Sequence, residues 1–124
     1  MIIDDDENMR RLFGAKLAGH DYEVLYATGA ESGREMARNY KPDLVLLDVR
    51  MPGEDGFTIA RAMRQEEETK NIPIVFLTNE DFSLEAQQWV KELYVKDVIH
   101  KSIDLNEFLE RVDVVLRSVG LIGK

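Results

Sequence analysis

Short apolar runs recur along the chain, and each ends on a polar residue. Ile2-Ile3 runs into Asp4-Asp5-Asp6, Leu44-Val45-Leu46-Leu47 into Asp48, Ile74-Val75-Phe76-Leu77 into Thr78, and Val98-Ile99 through His100 into Lys101. Continuous apolar runs of this length predict strands of a parallel sheet buried on both faces. Val24-Leu25-Tyr26-Ala27 reads as a further strand. In such sheets the carboxyl ends of the strands share one edge, where ligands bind. Acids, a hydroxyl and a lysine therefore converge on one place.

Helical spacing fills the gaps between the strands. Met9, Leu12, Phe13 and Leu17 mark a first helix, with Gly19 as its stop. Thr28 and Glu31 have capping-box spacing and predict a second helix to about Tyr40, ended by Lys41-Pro42-Asp43. Phe57, Ala60, Met63 and Arg64 mark a third helix. Ser83 caps a fourth that runs to about Leu93. Asp104 and Glu107 frame a fifth, whose Leu105, Phe108, Leu109, Val112, Val115 and Leu116 make one core-facing stripe. Alternation of this kind predicts an α/β doubly wound five-stranded parallel sheet. Among the doubly wound orders we take 2-1-3-4-5, which sets the first strand beside the third and brings Asp4 and Asp5 up to Asp48.

With 124 residues, the expected organisation is a single domain spanning 1–124. A net charge of -8 argues against nucleic acid as a direct partner. The chain has no cysteine, so it holds no disulfide or thiolate metal site. No apolar stretch approaches the ~18 residues of a membrane span, and no signal segment opens the chain. A cytoplasmic setting is expected.

Carboxylates packed together repel unless a cation neutralises them, so Asp4, Asp5 and Asp48 imply a hard divalent cation, most naturally Mg²⁺. Asp6 and Glu7 read instead as an ordinary acidic helix start. Thr78 and Lys101 gain meaning as a pair, because both follow strands at the same edge. A mobile ammonium and a hydroxyl suit phosphoryl oxygens. His20 and His100 are assigned structural roles.

These residues match a family. The chain resembles the receiver domain of two-component response regulators, chemotaxis regulators among them, from Met1 to about Val119. The match rests on three blocks: Asp4 to Arg10, Lys41 to Phe57, and Ile72 to Thr78 followed by Lys101. The resemblance implies a flavodoxin-like (βα)₅ fold and a phosphoprotein of a phosphorelay rather than a turnover enzyme. Asp48 would accept a phosphoryl group from a histidine kinase or phosphotransfer protein. Asp5, Asp48 and the Arg50 backbone carbonyl would bind Mg²⁺, with Asp4 acting through water. Thr78 and Lys101 would grip the phosphoryl oxygens. A downstream protein would read the face made by the fourth helix, fifth strand and fifth helix, and phosphorylation-dependent homodimerisation stays open.

The chain departs from that family at several positions. Ser102 replaces the proline after the lysine, and a cis bond without proline costs ~3 kcal/mol, so a trans Lys101–Ser102 peptide is predicted. Val98 replaces the switch aromatic, and Tyr94 is a candidate substitute. Asn79 replaces a small residue and narrows access to Asp48, predicting slow modification by small donors such as acetyl phosphate. Arg50 and Glu80, each two residues beyond Asp48 and Thr78, are expected to pair across the site and hinder attacking water. Two other readings stand beside the phosphorylated switch. One is a binding module of the same fold that signals without phosphate. The other is a small Mg²⁺-dependent phosphohydrolase, disfavoured because Arg50 stands where such enzymes carry a second acid.

Overall fold

Strands and helices alternate from the first residues to the last helix, and the computed structural model describes residues 1–121. The elements are β1 (Ile2–Ile3), α1 (Glu7–Ala18), β2 (Tyr26–Ala27), α2 (Ala30–Tyr40) and β3 (Val45–Leu47). They continue as α3 (Gly56–Gln65), β4 (Ile74–Thr78), α4 (Leu84–Glu92), β5 (Asp97–His100) and α5 (Leu105–Ser118). Every strand pair is parallel and the order is β2-β1-β3-β4-β5, as the sequence predicts. Positions 122–124 of the expected domain lie outside the described residues. No helix among the described residues is long and apolar enough to cross a membrane.

Burial on both faces explains the unbroken apolar runs. Ile3, Val45, Leu47, Ile74 and Phe76 join one core with Ala37, Ile59, Ala60, Met63 and Ala86 from α2, α3 and α4. Their neighbours Ile2, Leu46, Val75, Leu77 and Ile99 join a second core with Phe13, Leu17, Phe108, Val112 and Leu116 from α1 and α5. Adjacent residues thus serve opposite layers, the period of two that a strand imposes. Phe13 and Phe108 meet edge to face at 4.7 Å and lock α1 to α5.

Four helices begin on the side-chain caps expected of acids and serines. Asp6, Asp55, Ser83 and Asp104 each accept backbone N–H groups of the following turn. The second helix corrects the expectation: its cap is Gly29, without a side-chain bond, and not Thr28. Packing sets that start instead, because Gly33 presses on the sheet and a Cβ there would lie 2.7 Å from Ile3 Cδ1. Two further corrections concern length and stripe. Only Tyr26 and Ala27 form β2, an edge strand with a single partner, although the Leu25 carbonyl still accepts from Ile2 N at 2.8 Å. Leu12 lies on the shoulder of the α1 stripe and is 44% exposed.

Candidate functional site

Register builds the site. Ile3 pairs with Leu47, and Asp48 N donates to the Ile3 carbonyl at 2.9 Å, so the residues that follow each strand emerge together. Asp4, Asp5 and Asp48 each offer a carboxylate oxygen within 4.8 Å of the others. Asp4 and Asp48 are buried and Asp5 is exposed. The turn that carries the first two is tied down: Asp4 N donates to the Ala27 carbonyl at 3.1 Å and Asp6 N to Asp4 Oδ1 at 2.9 Å. Arg10 Nη1 donates to the Asp4 carbonyl at 2.8 Å. Asp6 caps α1, and Glu7 pairs with Arg11 at 3.0 Å, so neither of these acids is part of the cluster.

Lys101 reaches in from the end of β5. Its Nζ stands 2.8 Å from Asp4 Oδ2 and 3.4 Å from Asp48 Oδ2, and its side chain is 8% exposed. One ammonium thus faces two of the three carboxylates, Asp4 and Asp48. Burial first, then the Asp4 charge, pushes the Asp48 carboxyl from 3.8 up to about 6, with Lys101 opposing. Burial disfavours the Lys101 ammonium, but its contact with Asp4 and then Asp48 outweighs that and raises its pKa. Among the described residues Asp4 Oδ2 is met by the Lys101 ammonium alone, as an ion pair. Oxygen donors gathered this closely, with negative charge in excess of the one ammonium, fit a hard divalent cation.

Thr78 ends β4, fully buried, and its Oγ1 accepts from Glu80 N at 3.0 Å. Lys101 N donates to the Thr78 carbonyl at 2.9 Å, which ties the two strand ends together. Asp5, Asp6, Asp48, Arg50, Thr78, Asn79, Glu80 and Lys101 line a cavity of about 240 Å³. Arg50 Nε lies 2.5 Å from Glu80 Oε1, forming the expected pair. Arg50 N also donates to Asp48 Oδ1 at 3.4 Å.

The sequence matches the response regulator receiver domain family over residues 1–113. The chain belongs to that family. It is 33% identical to Protein PilH of Pseudomonas aeruginosa over 116 residues, covering 94% of this chain and 95% of that protein. It is 38% identical to Response regulator PleD of Caulobacter vibrioides, covering 84% of this chain but only 23% of PleD. The structure of chemotaxis protein CheY4 of Vibrio cholerae superposes with a TM-score of 0.85 at 28% identity, covering 93% of this chain and 95% of that one.

Three features of this receiver domain were not legible in its sequence. A Cβ on Gly56 would lie 2.7 Å from both the Asp48 carbonyl and Val49 Cα, and Gly56 N donates to the Val49 carbonyl at 2.6 Å. The start of α3 therefore packs directly on the loop that carries Asp48. His100 does more than fill a strand position: its Nδ1 accepts from Ser102 N at 3.2 Å and sits 2.7 Å from Ser102 Oγ, fastening the turn after Lys101. That turn contains no cis bond, as expected with Ser102 in place of proline. Tyr94 corrects the expectation of a substitute aromatic. It sits in a left-handed turn (φ 55°) before β5, 74% exposed, at the opposite edge of the sheet. Half-buried Val98 instead lines a cavity of about 460 Å³ together with Thr78, Phe82, Val90 and His100.

Proposed function

We propose that this domain is a phosphorylatable switch that takes a phosphoryl group on Asp48 from the phosphohistidine of a histidine kinase or phosphotransfer protein. The observation that carries the reading is the meeting of Asp4, Asp5 and Asp48 beside the buried Lys101 ammonium. Asp5, Asp48 and the Arg50 carbonyl would hold Mg²⁺, with Asp4 acting through water. The ion supplies charge neutralisation for incoming phosphoryl oxygens, the main demand of phosphoryl transfer. An Asp48 carboxylate oxygen attacks phosphorus, the P–N bond breaks, and its electron pair leaves with the imidazole. Lys101, already beside Asp48, is placed to turn its ammonium onto a phosphoryl oxygen. The Thr78 hydroxyl accepts from Glu80 N and keeps its own proton to donate to another.

Movement of Thr78 would draw the Asn79–Phe82 segment with it, since Glu80 N is bonded to the hydroxyl. That segment enters α4, so the face formed by α4, β5 and α5 is the surface we assign to a downstream protein or a second copy. The role is regulatory, in the cytoplasm, and ends in hydrolysis of the acyl phosphate rather than in turnover of a substrate. The test is Phos-tag electrophoresis with a phosphohistidine donor and Mg²⁺. A shifted band that EDTA abolishes supports the reading, whereas an unshifted band favours a module that signals without phosphate.

Two side chains are expected to tune the rates. Arg50→Ala should accelerate loss of the phosphoryl group up to about fivefold, the ceiling for an exposed pair near ~1 kcal/mol. An unchanged decay in a pulse-chase would remove Arg50–Glu80 from the account. Asn79→Ala should speed modification by acetyl phosphate severalfold by widening the mouth beside Asp48, read from initial rates.

A further inference from the structure

We infer that Arg10 is a positioning residue for the cation site: it fixes the peptide between Asp4 and Asp5, and so helps aim the Asp5 carboxylate at the cation. The inference rests on the reading that Asp4, Asp5 and Asp48 share one cation. Among the described residues, no hydrogen bond restrains the exposed Asp5 carboxylate. Its aim is therefore set by the backbone that carries it and by its own rotamer. The carbonyl that Arg10 Nη1 holds at 2.8 Å belongs to the peptide unit ending at Asp5 N. Holding that oxygen fixes the peptide plane before Asp5, and Asp6 N on Asp4 Oδ1 at 2.9 Å holds the plane after it, so the two anchors together set the direction in which Cα–Cβ of Asp5 leaves the backbone.

Position on the helix makes this contact available. Arg10 lies in the first turn of α1, and helical side chains lean toward the N-terminus, back over the turn that precedes the helix. A cation there opposes the helix dipole, which favours acids at that end, so helix stability does not explain it. Nor is Arg10 spent on an ion pair among the described residues, unlike its neighbour Arg11, which meets Glu7 at 3.0 Å. The target is a backbone oxygen and not a carboxylate. Arg10 thereby orders the turn while leaving the carboxylate oxygens to the cation, whereas Lys101 covers Asp4 Oδ2.

Charge and geometry make opposite forecasts, which gives a decisive test. Removing a nearby positive charge should tighten binding of a divalent cation by simple Coulomb attraction. Removing a positioning contact should weaken it, by about tenfold for an outer-shell partner. Calorimetric titration of Mg²⁺ into the wild-type protein, Arg10→Met and the charge control Arg11→Met separates the two. Expected are about tenfold weaker binding in Arg10→Met and equal or tighter binding in Arg11→Met. In amide NMR spectra of the Mg²⁺-free proteins, Asp5 and Asp6 should move in Arg10→Met only. Equal or tighter binding in Arg10→Met overturns the inference. Should Arg10→Met not fold, Arg10→Gln removes the same charge and falls short of the carbonyl, and is read by the same outcomes. Absence of Mg²⁺ binding in the wild type would bring down the shared-cation reading itself, a result distinct from equal binding in both proteins.

Discussion

Asp48→Asn is expected to abolish phosphoryl uptake and, in Mg²⁺-free buffer at neutral pH, to make the protein more stable rather than less. The loss follows because an amide offers no carboxylate nucleophile at the one position that faces Lys101 and the cavity. The gain follows from linkage. Burial and Asp4 raise the folded-state pKa of Asp48 from 3.8 to about 6. Between those values the native state holds a proton that the unfolded chain has lost, so stability falls as pH rises across the window and stays reduced above it. That rise from 3.8 to about 6 sets a ceiling of ~3 kcal/mol. Screening at a cavity that opens past exposed Asp5 brings the expected gain to ~1 kcal/mol. Lys101 keeps its nearer partner, Asp4 at 2.8 Å, so it is not left stranded. Calorimetry in EDTA at pH 7 should show a melting temperature higher by ~3–5 °C. Mg²⁺ should reverse the ranking by stabilising the wild type alone. A less stable Asp48→Asn protein in EDTA would mean that the carboxylates do not strain one another.

Phe108→Ala carries the largest expected cost in stability, ~3–5 kcal/mol. The ring is fully buried in the α1/α5 layer and meets Phe13 at 4.7 Å, so its removal leaves a hole that backbone on both sides cannot close. Against the ~5–15 kcal/mol that holds an ordinary domain, this is a large fraction. Urea unfolding measures it. A cost below ~1 kcal/mol would show that the layer collapses onto the gap. The layer lies on the sheet face opposite α2, α3 and α4, and the site sits at the strand ends, so Mg²⁺ affinity of the folded variant should stay near that of wild type.

The strands were legible because burial on both faces leaves a direct mark, an unbroken apolar run stopped by a polar residue, whereas their order was a choice among doubly wound sheets that the family resemblance supported. Once β1 lies beside β3, register alone sets Asp4 against Asp48. What stayed hidden were contacts between a side chain and a distant backbone. Periodicity says nothing of the Arg10 bond to the Asp4 carbonyl, or of the hold that His100 has on Ser102. Nor does the sequence mark the constraint on Gly56, the closeness of the Asp48 backbone. Thr28 had the spacing of a cap, yet Gly33 had to reach Ile3, and packing moved the start of α2 by one residue. Tyr94 seemed a spare aromatic, yet it precedes β5, and in a parallel sheet a residue before a strand lies at the edge away from the strands' carboxyl ends.

The most direct measurement of the shared-cation, phosphoacceptor site is a titration of isotope-labelled protein with Mg²⁺ and beryllofluoride, followed by NMR. Saturable shifts at Asp5, Asp48, Thr78 and Lys101 are predicted, dependent on Mg²⁺ and absent from Asp48→Asn. Spectra that stay unchanged in excess Mg²⁺ and beryllofluoride would contradict it.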